Sequence, residues 1–521
     1  MTAGRSLELI AGARPIIGME VHVELATRTK AFTRAHNIAH AAHFDAAPNS
    51  LTDPLVLALP GTLPVLNRAA VELALAVGLA LGCEIPEWCV WDRKSYFYPD
   101  LPKAYQISQY ERPLCGAGCV EIPAIDEKGR FDLEAPGARV RIARAHLEED
   151  AGKLLHEAPG GGPIDCSIVD LNRAGTPLLE IVTEPDLTGA SWCVSFARLL
   201  RMACRDLGAT EGVLQRGHMR FEPNINLELS LRDGRTVRTP IVEVKNLNSL
   251  RALREAVEHE IRAQPARWTE DGREAGAGTK QTRGWDGDRG ITIPQRGKED
   301  AHDYRYFPDP DLAVVRVDRA WAELVRARVG EFPTARMRRY VRECGVASAD
   351  AQALAEEPSL HGFFEAVAAS ATGLGVAATE AWRLGAILTL QCAMKRANER
   401  GVSIGDLGVS ASACGRLAVL RAEGAIGAGA MDEIFGVMCE GEGDDPRAIA
   451  ERRGLLVVRD EGALAAWCRR VIEEQADVAA QVRAGRAQAV GRLVGAVMKL
   501  SGGAADAAKV RTRLMEMLGG G

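Results

Sequence analysis

Residues 17–25 read Ile17-Gly18-Met19-Glu20-Val21-His22-Val23-Glu24-Leu25. Apolar and polar side chains alternate with period two, the pattern of a half-buried strand. The pleat puts Met19, Val21, Val23 and Leu25 on one face and Glu20, His22 and Glu24 on the other. The apolar face belongs to a core. Two carboxylates around an imidazole leave two readings of the other face: a solvated sheet surface or a cation site.

Stretches further along repeat the theme. His146-Leu147-Glu148-Glu149-Asp150 sets three carboxylates in a row. Glu180 and Glu184 share a face of a strand around Leu179, bracketed by Pro177 and Pro185. From Arg220 to Leu229, Arg220, Glu222, Asn224, Asn226 and Glu228 alternate with Phe221, Ile225 and Leu227, and Glu243 and Lys245 continue the pattern. The spacing, with few long helices between, predicts a mainly antiparallel sheet with one apolar and one acidic face. Like charges this close repel, and a divalent cation relieves the repulsion; oxygen ligands with a histidine suit Mg²⁺ or Mn²⁺. The alternative is an outward-facing sheet carrying surface salt bridges. Helices are predicted over Asn67–Leu81, over Ser191–Leu207, and from a Ser249 cap to about Ala263.

After Asp309-Pro310-Asp311-Leu312 the texture changes from alternating runs to Arg- and Ala-rich segments of helical period. Length implies about three domains. The expected division is a mainly antiparallel α+β catalytic domain over 1–315, an all-α linker domain over 316–403 and a small helical tail domain over 404–521. A Gly/Ser-punctuated stretch around Gly401 to Ser410 splits the helical half, and the acidic segment Cys439–Arg447 reads as a loop before the last helices.

Composition narrows the function. The net charge of −6 makes the whole chain no electrostatic magnet for nucleic acid, but residues 447–521 hold 13 Lys/Arg against 8 Asp/Glu, a modestly basic end. The longest apolar run, Leu73–Cys83, is too short to span a bilayer and is flanked by Glu72 and Glu84. The N-terminus lacks the apolar core of an export signal, so a cytoplasmic protein with reduced thiols and no membrane association is expected. Cys115 and Cys119 form a lone C-x3-C with no second pair at metal-ligand spacing.

Mg²⁺ with Arg and Lys nearby is equipment for phosphoryl transfer from a nucleotide. No P-loop and no dinucleotide-binding glycine motif accompanies it; Gly160-Gly161-Gly162 and Gly276-Ala277-Gly278 read as loops. No G-x-S-x-G nucleophile elbow, amidase Ser/Lys pattern or Cys nucleophile motif stands out, so hydrolysis of glutamine is not this chain's own work.

The same strands carry motifs that resemble one family. IGMEVHVEL (17–25), DPLVLALPGTLPVLN (53–67), WDRKSYFYPDLPKAYQISQ (91–109), HLEEDAGK (146–153), DLNRAGTPLLEIVTEPD (170–186), EVKNLNSLRALREAVEHEI (243–261), QTRGW (281–285) and KEDAHDYRYFPDPDL (298–312) look like blocks of the B subunits of aspartyl/glutamyl-tRNA amidotransferases, in order; QAVGRLVGAVMKLSGG (488–503) resembles them more loosely. The resemblance implies an active-site sheet similar to that of glutamine synthetase, with ATP and Mg²⁺ as cofactors. It implies phosphorylation of the side-chain carboxylate of Glu-tRNA(Gln) or Asp-tRNA(Asn), followed by displacement of phosphate by ammonia. The A subunit, an amidase, would supply the ammonia, a small C subunit would complete a heterotrimer, and mischarged tRNA would be the substrate.

Carried onto this chain, the resemblance assigns a Mg²⁺ site to His22, Glu149 and Glu180, with Glu20 and Glu148 beside it. Lys94 matches a lysine of the polar passage that delivers ammonia. Arg220, Asn224, Lys245, Asn246 and Asn248 are expected to contact ATP or the aminoacyl group. Asp303-Tyr304-Arg305-Tyr306-Phe307-Pro308 is read either as touching the nucleotide or tRNA terminus or as an aromatic domain junction. One block departs from the commoner Arg-Cys-Asp-x-Asn: this chain has Arg220-Phe221-Glu222-Pro223-Asn224, which puts local geometry there in doubt. Two other readings stand beside this one: a non-catalytic tRNA-binding scaffold, and a free-standing ammonia ligase acting on a small acid.

Overall fold

The computed structural model describes residues 7–158, 161–295, 304–457, 461–484, 486–501 and 505–519. It separates into two compact units, residues 1–336 and 337–521. Among the described residues no helix is long and apolar enough to cross a membrane.

The first unit is built on a nine-stranded sheet. Its strands are β1 (Ile10–Glu24), β2 (Gly118–Ile122), β3 (Ala138–Glu149), β4 (Pro177–Thr183), β5 (Met219–Leu231), β6 (Thr236–Arg238), β7 (Val242–Lys245), β8 (Gln281–Asp286) and β9 (Ile291–Pro294). They lie in the order β9-β8-β7-β5-β1-β4-β3-β2, with β6 pairing with β5. Every pairing is antiparallel except β7 with β8, which is parallel. The sheet is therefore mixed, close to the expected form, and with the helical second unit the chain is α+β.

β1 is central, which explains why it carries the strongest alternation. Ile17, Met19, Val21, Val23 and Leu25 are buried to 1 % exposure or less; the helices of this unit include α1 (Arg68–Ala80), α2 (Ala190–Asp206) and α3 (Leu250–Asp271), of which α3 packs against β1. Asn67 caps α1 by accepting from the N–H of Ala69, and Ser249 caps α3 by accepting from that of Ala252. α3 runs past the expected end near Ala263, through Pro265, to a left-handed Gly272. A proline inside a helix costs about 3 kcal/mol. Continuing the helix seats Trp268, 2 % exposed, against Leu227, Leu229, Leu231 and Val237, and burial of so large a ring offsets that cost.

Period two has a measurable consequence. Ile225 lies on the apolar face of β5, fully buried. Ile225→Ala is expected to destabilise the first unit by about 2–5 kcal/mol, seen as a lower denaturation midpoint. An unchanged midpoint would contradict the assignment of faces.

The second unit is helical throughout its described residues. One buried cluster extends from Leu360 to Leu455 and another from Leu464 to Leu518. The first crosses the boundary expected at residue 403, where Gly401 and Ser403 suggested a break. Those residues instead make a tight turn between helix Met394–Arg400 and the short 3-10 turn Ile404–Leu407, whose Ile404 and Leu407 belong to the same core. Among the described residues, the two buried clusters change over between Leu455 and Leu464.

Candidate active site

The acidic face is assembled by register. On β1, His22 stands opposite Glu180 of β4 on one side and Arg220 of β5 on the other, while Glu20 stands opposite Glu222. β4 in turn sets Glu180 opposite His146 of β3. Side chains on one face of adjacent strands lie about 5 Å apart, so these pairings bring a dense polar group together. His22 Nε2 lies 3.4 Å from Glu180, 3.6 Å from Glu20 and 3.9 Å from Glu148. His146 Nε2 lies 3.7 Å from the same Glu180 oxygen. Two overlapping sets, Glu20–His22–Glu180 and His146–Glu148–Glu180, each place three ligand atoms within 4.8 Å of one another.

Electrostatics record how crowded the group is. Burial, reinforced by Glu180, raises the carboxyl of Glu20 to about 7. Burial alone would discharge His22, but its contact with Glu180 and the neighbouring carboxylates prevail and raise it to about 9. Glu180 is held well below the carboxylate range: burial opposes its charge, but His146, His22 and Lys94 outweigh it. Burial lowers His146 to about 4, leaving a neutral imidazole with a lone pair. The Nδ1 atoms of His22 and His146 are buried without a hydrogen-bond partner. Carboxylate oxygens and neutral imidazole form a donor set that fits a divalent cation of the Mg²⁺ or Mn²⁺ type.

This face lines a cavity of about 660 Å³. A hairpin of Asp92–Ser95 and Tyr105–Ser108 contributes Lys94 to the same cavity, its Nζ 4.0 Å from Glu148 and 5.2 Å from the centre of the Tyr304 ring. Burial works against the charge of Lys94, yet Glu148 and its other neighbours keep it protonated. Tyr304 and Tyr306 also line this cavity, Tyr306 stacked on Tyr110 at 4.4 Å; Asp303, with which that motif began, lies outside the described residues.

Comparison with known proteins gives this geometry a family. Residues 15–323 match the family model described as the GatB/GatE catalytic domain, and residues 376–518 match the GatB domain model. A protein of Thermobifida fusca, named as the B subunit of aspartyl/glutamyl-tRNA(Asn/Gln) amidotransferase, is 40% identical over 519 residues, covering 98% of this chain and 95% of its own length. A protein of the same name from Variovorax paradoxus is 41% identical over 509 residues, covering 98% of this chain and all of its own. The chain belongs to the family of amidotransferase B subunits.

Within that family frame, the structure places the expected residues as follows. Glu20, His22, Glu148, Glu180 and Lys94 meet in one cavity. Glu149 does not join them. Its neighbour Glu148 takes the cavity face of β3, so Glu149 points to the other side, where its Oε1 accepts from the Lys103 ammonium and from the N–H of Ile107 at 3.0 Å. Resemblance gives the cation site to Glu149; by geometry it is Glu148 that faces the acidic cluster, because adjacent strand residues face opposite ways. His146, absent from the expected set, is brought in by the same parity: His146, Glu148 and Asp150 alternate down one face, a signal already present in the sequence.

Arg220 donates to Asp150 at 2.6 Å, and Lys245 donates to Glu222 at 2.5 Å and lies 2.7 Å from Glu243. Of these, Arg220, Glu222 and Lys245 line both the acidic cavity and a second one, also about 660 Å³, lined by Arg173, Arg216, His218, Asn246 and Asn248 among others. Asn246 adopts a left-handed backbone at φ 65°, which asparagine tolerates better than most residues. Asn224 pairs in register with Gly18 and Glu243 and lines neither cavity. The departure at Phe221-Glu222-Pro223 leaves the parity intact: Phe221 is 2 % exposed on the apolar face, and Glu222 keeps a carboxylate 4.0 Å from His22 Nδ1.

The string Gly401-Val402-Ser403-Ile404-Gly405 does spell G-x-S-x-G, although no elbow stood out in the sequence. Ser403 follows a helix rather than a strand and donates to Asp406 at 2.6 Å, so it is a turn cap and not a nucleophile elbow. All twelve cysteines are free.

Proposed function

We propose that this chain activates the side-chain carboxylate of Glu-tRNA(Gln) and/or Asp-tRNA(Asn) by ATP-dependent phosphorylation and then joins ammonia to it, giving the amide. The observation that carries this reading is the convergence of His22, His146, Glu20, Glu148 and Glu180 on one cavity, with Lys94 beside Glu148. The acidic sheet is read as similar to that of glutamine synthetase. His22, Glu180, Glu20 and Glu148, with His146, would hold Mg²⁺, which supplies charge neutralisation for a transferring phosphoryl group.

The chain's own residues would act as follows. Arg220 and Lys245, which line both cavities, face the negative oxygens of ATP, with Asn246 and Asn248 contributing polar contacts from the second cavity. A substrate carboxylate oxygen attacks the γ-phosphorus and ADP departs. Ammonia then attacks the acyl carbon and inorganic phosphate departs. The proton released from nitrogen passes to a carboxylate of the cluster. Lys94 is held charged, so it orients and stabilises negative oxygen rather than accepting that proton.

The chain would work as the carbon–nitrogen ligase part of a cytoplasmic heterotrimer. Its partners would be the amidase, which releases ammonia from glutamine, and the small third protein; its helical half would bind tRNA. The test is reconstitution with those two partners. ATP-dependent conversion of Glu-tRNA or Asp-tRNA to the amide is expected. Amide formation without ATP, or equal activity on the free amino acids, would overturn the reading.

A further inference from the structure

The departure at Phe221-Glu222-Pro223 leaves one carboxylate without a task. Glu222 stands opposite Glu20 in register, so it reaches His22 only diagonally; directly opposite His22 is Arg220. Diagonal neighbours lie about 7–8 Å apart, within reach of long side chains. Glutamate has one methylene more than the aspartate commoner at this place, about 1.5 Å of extra reach. Its two oxygens face different ways. Lys245 donates to Oε2 at 2.5 Å. Lys245 is itself 2.7 Å from Glu243, which Lys280 meets at 2.9 Å. The main-chain pairing of β5 with β7 covers Asn224 and Ile225; two residues on, Glu222 and Lys245 continue it through their side chains. With Oε2 anchored in that row of charges, Oε1 is left 4.0 Å from His22 Nδ1.

His22 needs such a partner. Glu20, Glu148 and Glu180 each come nearest to its Nε2, at 3.6, 3.9 and 3.4 Å, so that nitrogen meets the acidic cluster. Nε2 can offer a lone pair to a cation only if the ring's proton sits on Nδ1. His22 Nδ1 is buried and has no hydrogen-bond partner, and a buried N–H without an acceptor is costly. Arg220 cannot serve: it carries only donors, and it is turned to Asp150 at 2.6 Å. Glu222 Oε1 lies about 1 Å beyond the length of an N–H···O bond, a gap that a small rotation of the glutamate arm closes.

We propose that Glu222 is a positioning residue: its Oε1 accepts from the His22 Nδ1–H and so fixes the ring with the Nε2 lone pair toward Glu20 and Glu180. A carboxylate behind a cation-binding histidine sets its tautomer and raises its basicity. The row of charges from Lys280 through Glu243 and Lys245 to Glu222 thus ends on the histidine at the centre of the cluster. The proposal rests on the cation reading of that cluster.

The experiment titrates the full chain with Mn²⁺ and reads affinity by electron paramagnetic resonance. It compares wild type, His22→Ala, Glu222→Leu, Glu222→Gln and each Glu222 substitution combined with His22→Ala. Glu222→Leu is expected to weaken Mn²⁺ about tenfold or more. Glu222→Gln can still accept from Nδ1 and from Lys245; it is expected to fall between Glu222→Leu and wild type, and serves if Glu222→Leu does not fold. Added to His22→Ala, either substitution is expected to change the affinity by less than about twofold, because Glu222 acts through the ring. Effects that instead multiply would make Glu222 a ligand or an independent charge, and the proposal fails. It fails equally if the Glu222 variants that fold bind Mn²⁺ as wild type does. Wild-type affinity in His22→Ala would overturn the cation reading itself, and the proposal with it.

Discussion

His22→Ala is expected to lower ATP-dependent amidation of mischarged tRNA by at least about 10³-fold, a loss of about 4 kcal/mol of transition-state stabilisation. The size follows from position. His22 Nε2 is within 4 Å of Glu20, Glu148 and Glu180 at once, so deletion removes the donor around which the carboxylates are arranged. If His22 holds a cation, its loss removes a ligand, and with the cation weakened the acidic groups at the centre of the sheet lose the charge that balances them. Since the apolar face of β1 is untouched, the variant is expected to fold and to bind tRNA within about twofold of wild type. Steady-state amidation beside a filter-binding titration reads both quantities. Undiminished amidation in His22→Ala would remove the basis for a cation site here.

Lys94→Met is expected to cost about 10²-fold in amide formation, whether glutamine or free ammonium salt supplies the nitrogen. Methionine keeps most of the side-chain volume but leaves Glu148, 3 % exposed, without the cation beside it. Because Lys94 lines the same cavity as His22 and Glu180, its loss is expected to act at that cavity and not only on the proposed delivery of ammonia. Glutaminase activity of the partner amidase is expected to continue. Lys94→Arg is not expected to rescue, since a guanidinium fork is larger and differently shaped from an ammonium. Comparing the two nitrogen sources checks the placement: full activity with ammonium salt and loss with glutamine alone would confine Lys94 to the delivery route.

Much of the first unit was legible because its signals are local. Alternation in IGMEVHVEL named the buried face of β1 residue by residue, and Asn67 and Ser249 marked the helix starts where they cap them. The misreadings also have local causes. α3 continues past the end expected near Ala263 and through Pro265, because burial of Trp268 offsets the cost of the proline. The turn at Gly401 looked like a domain break because a break in helical period does not say whether the cores on either side are separate.

What the sequence determined by itself is chemistry and parity: a strand with Glu20, His22 and Glu24 on one face, further strands of the same kind, and the ordered blocks that mark the family. Tertiary structure decided which of these side chains meet. His22, His146, Glu180 and Arg220 come from four strands spread over about 200 residues, and only the register of β3, β4, β5 and β1 brings them side by side. Glu148 and Glu149 are chemically identical neighbours, and a shift of one residue exchanges their faces. Cross-strand register settled that choice, because the pairing of β3 with β4 turns one of them toward His22 and the other toward Lys103.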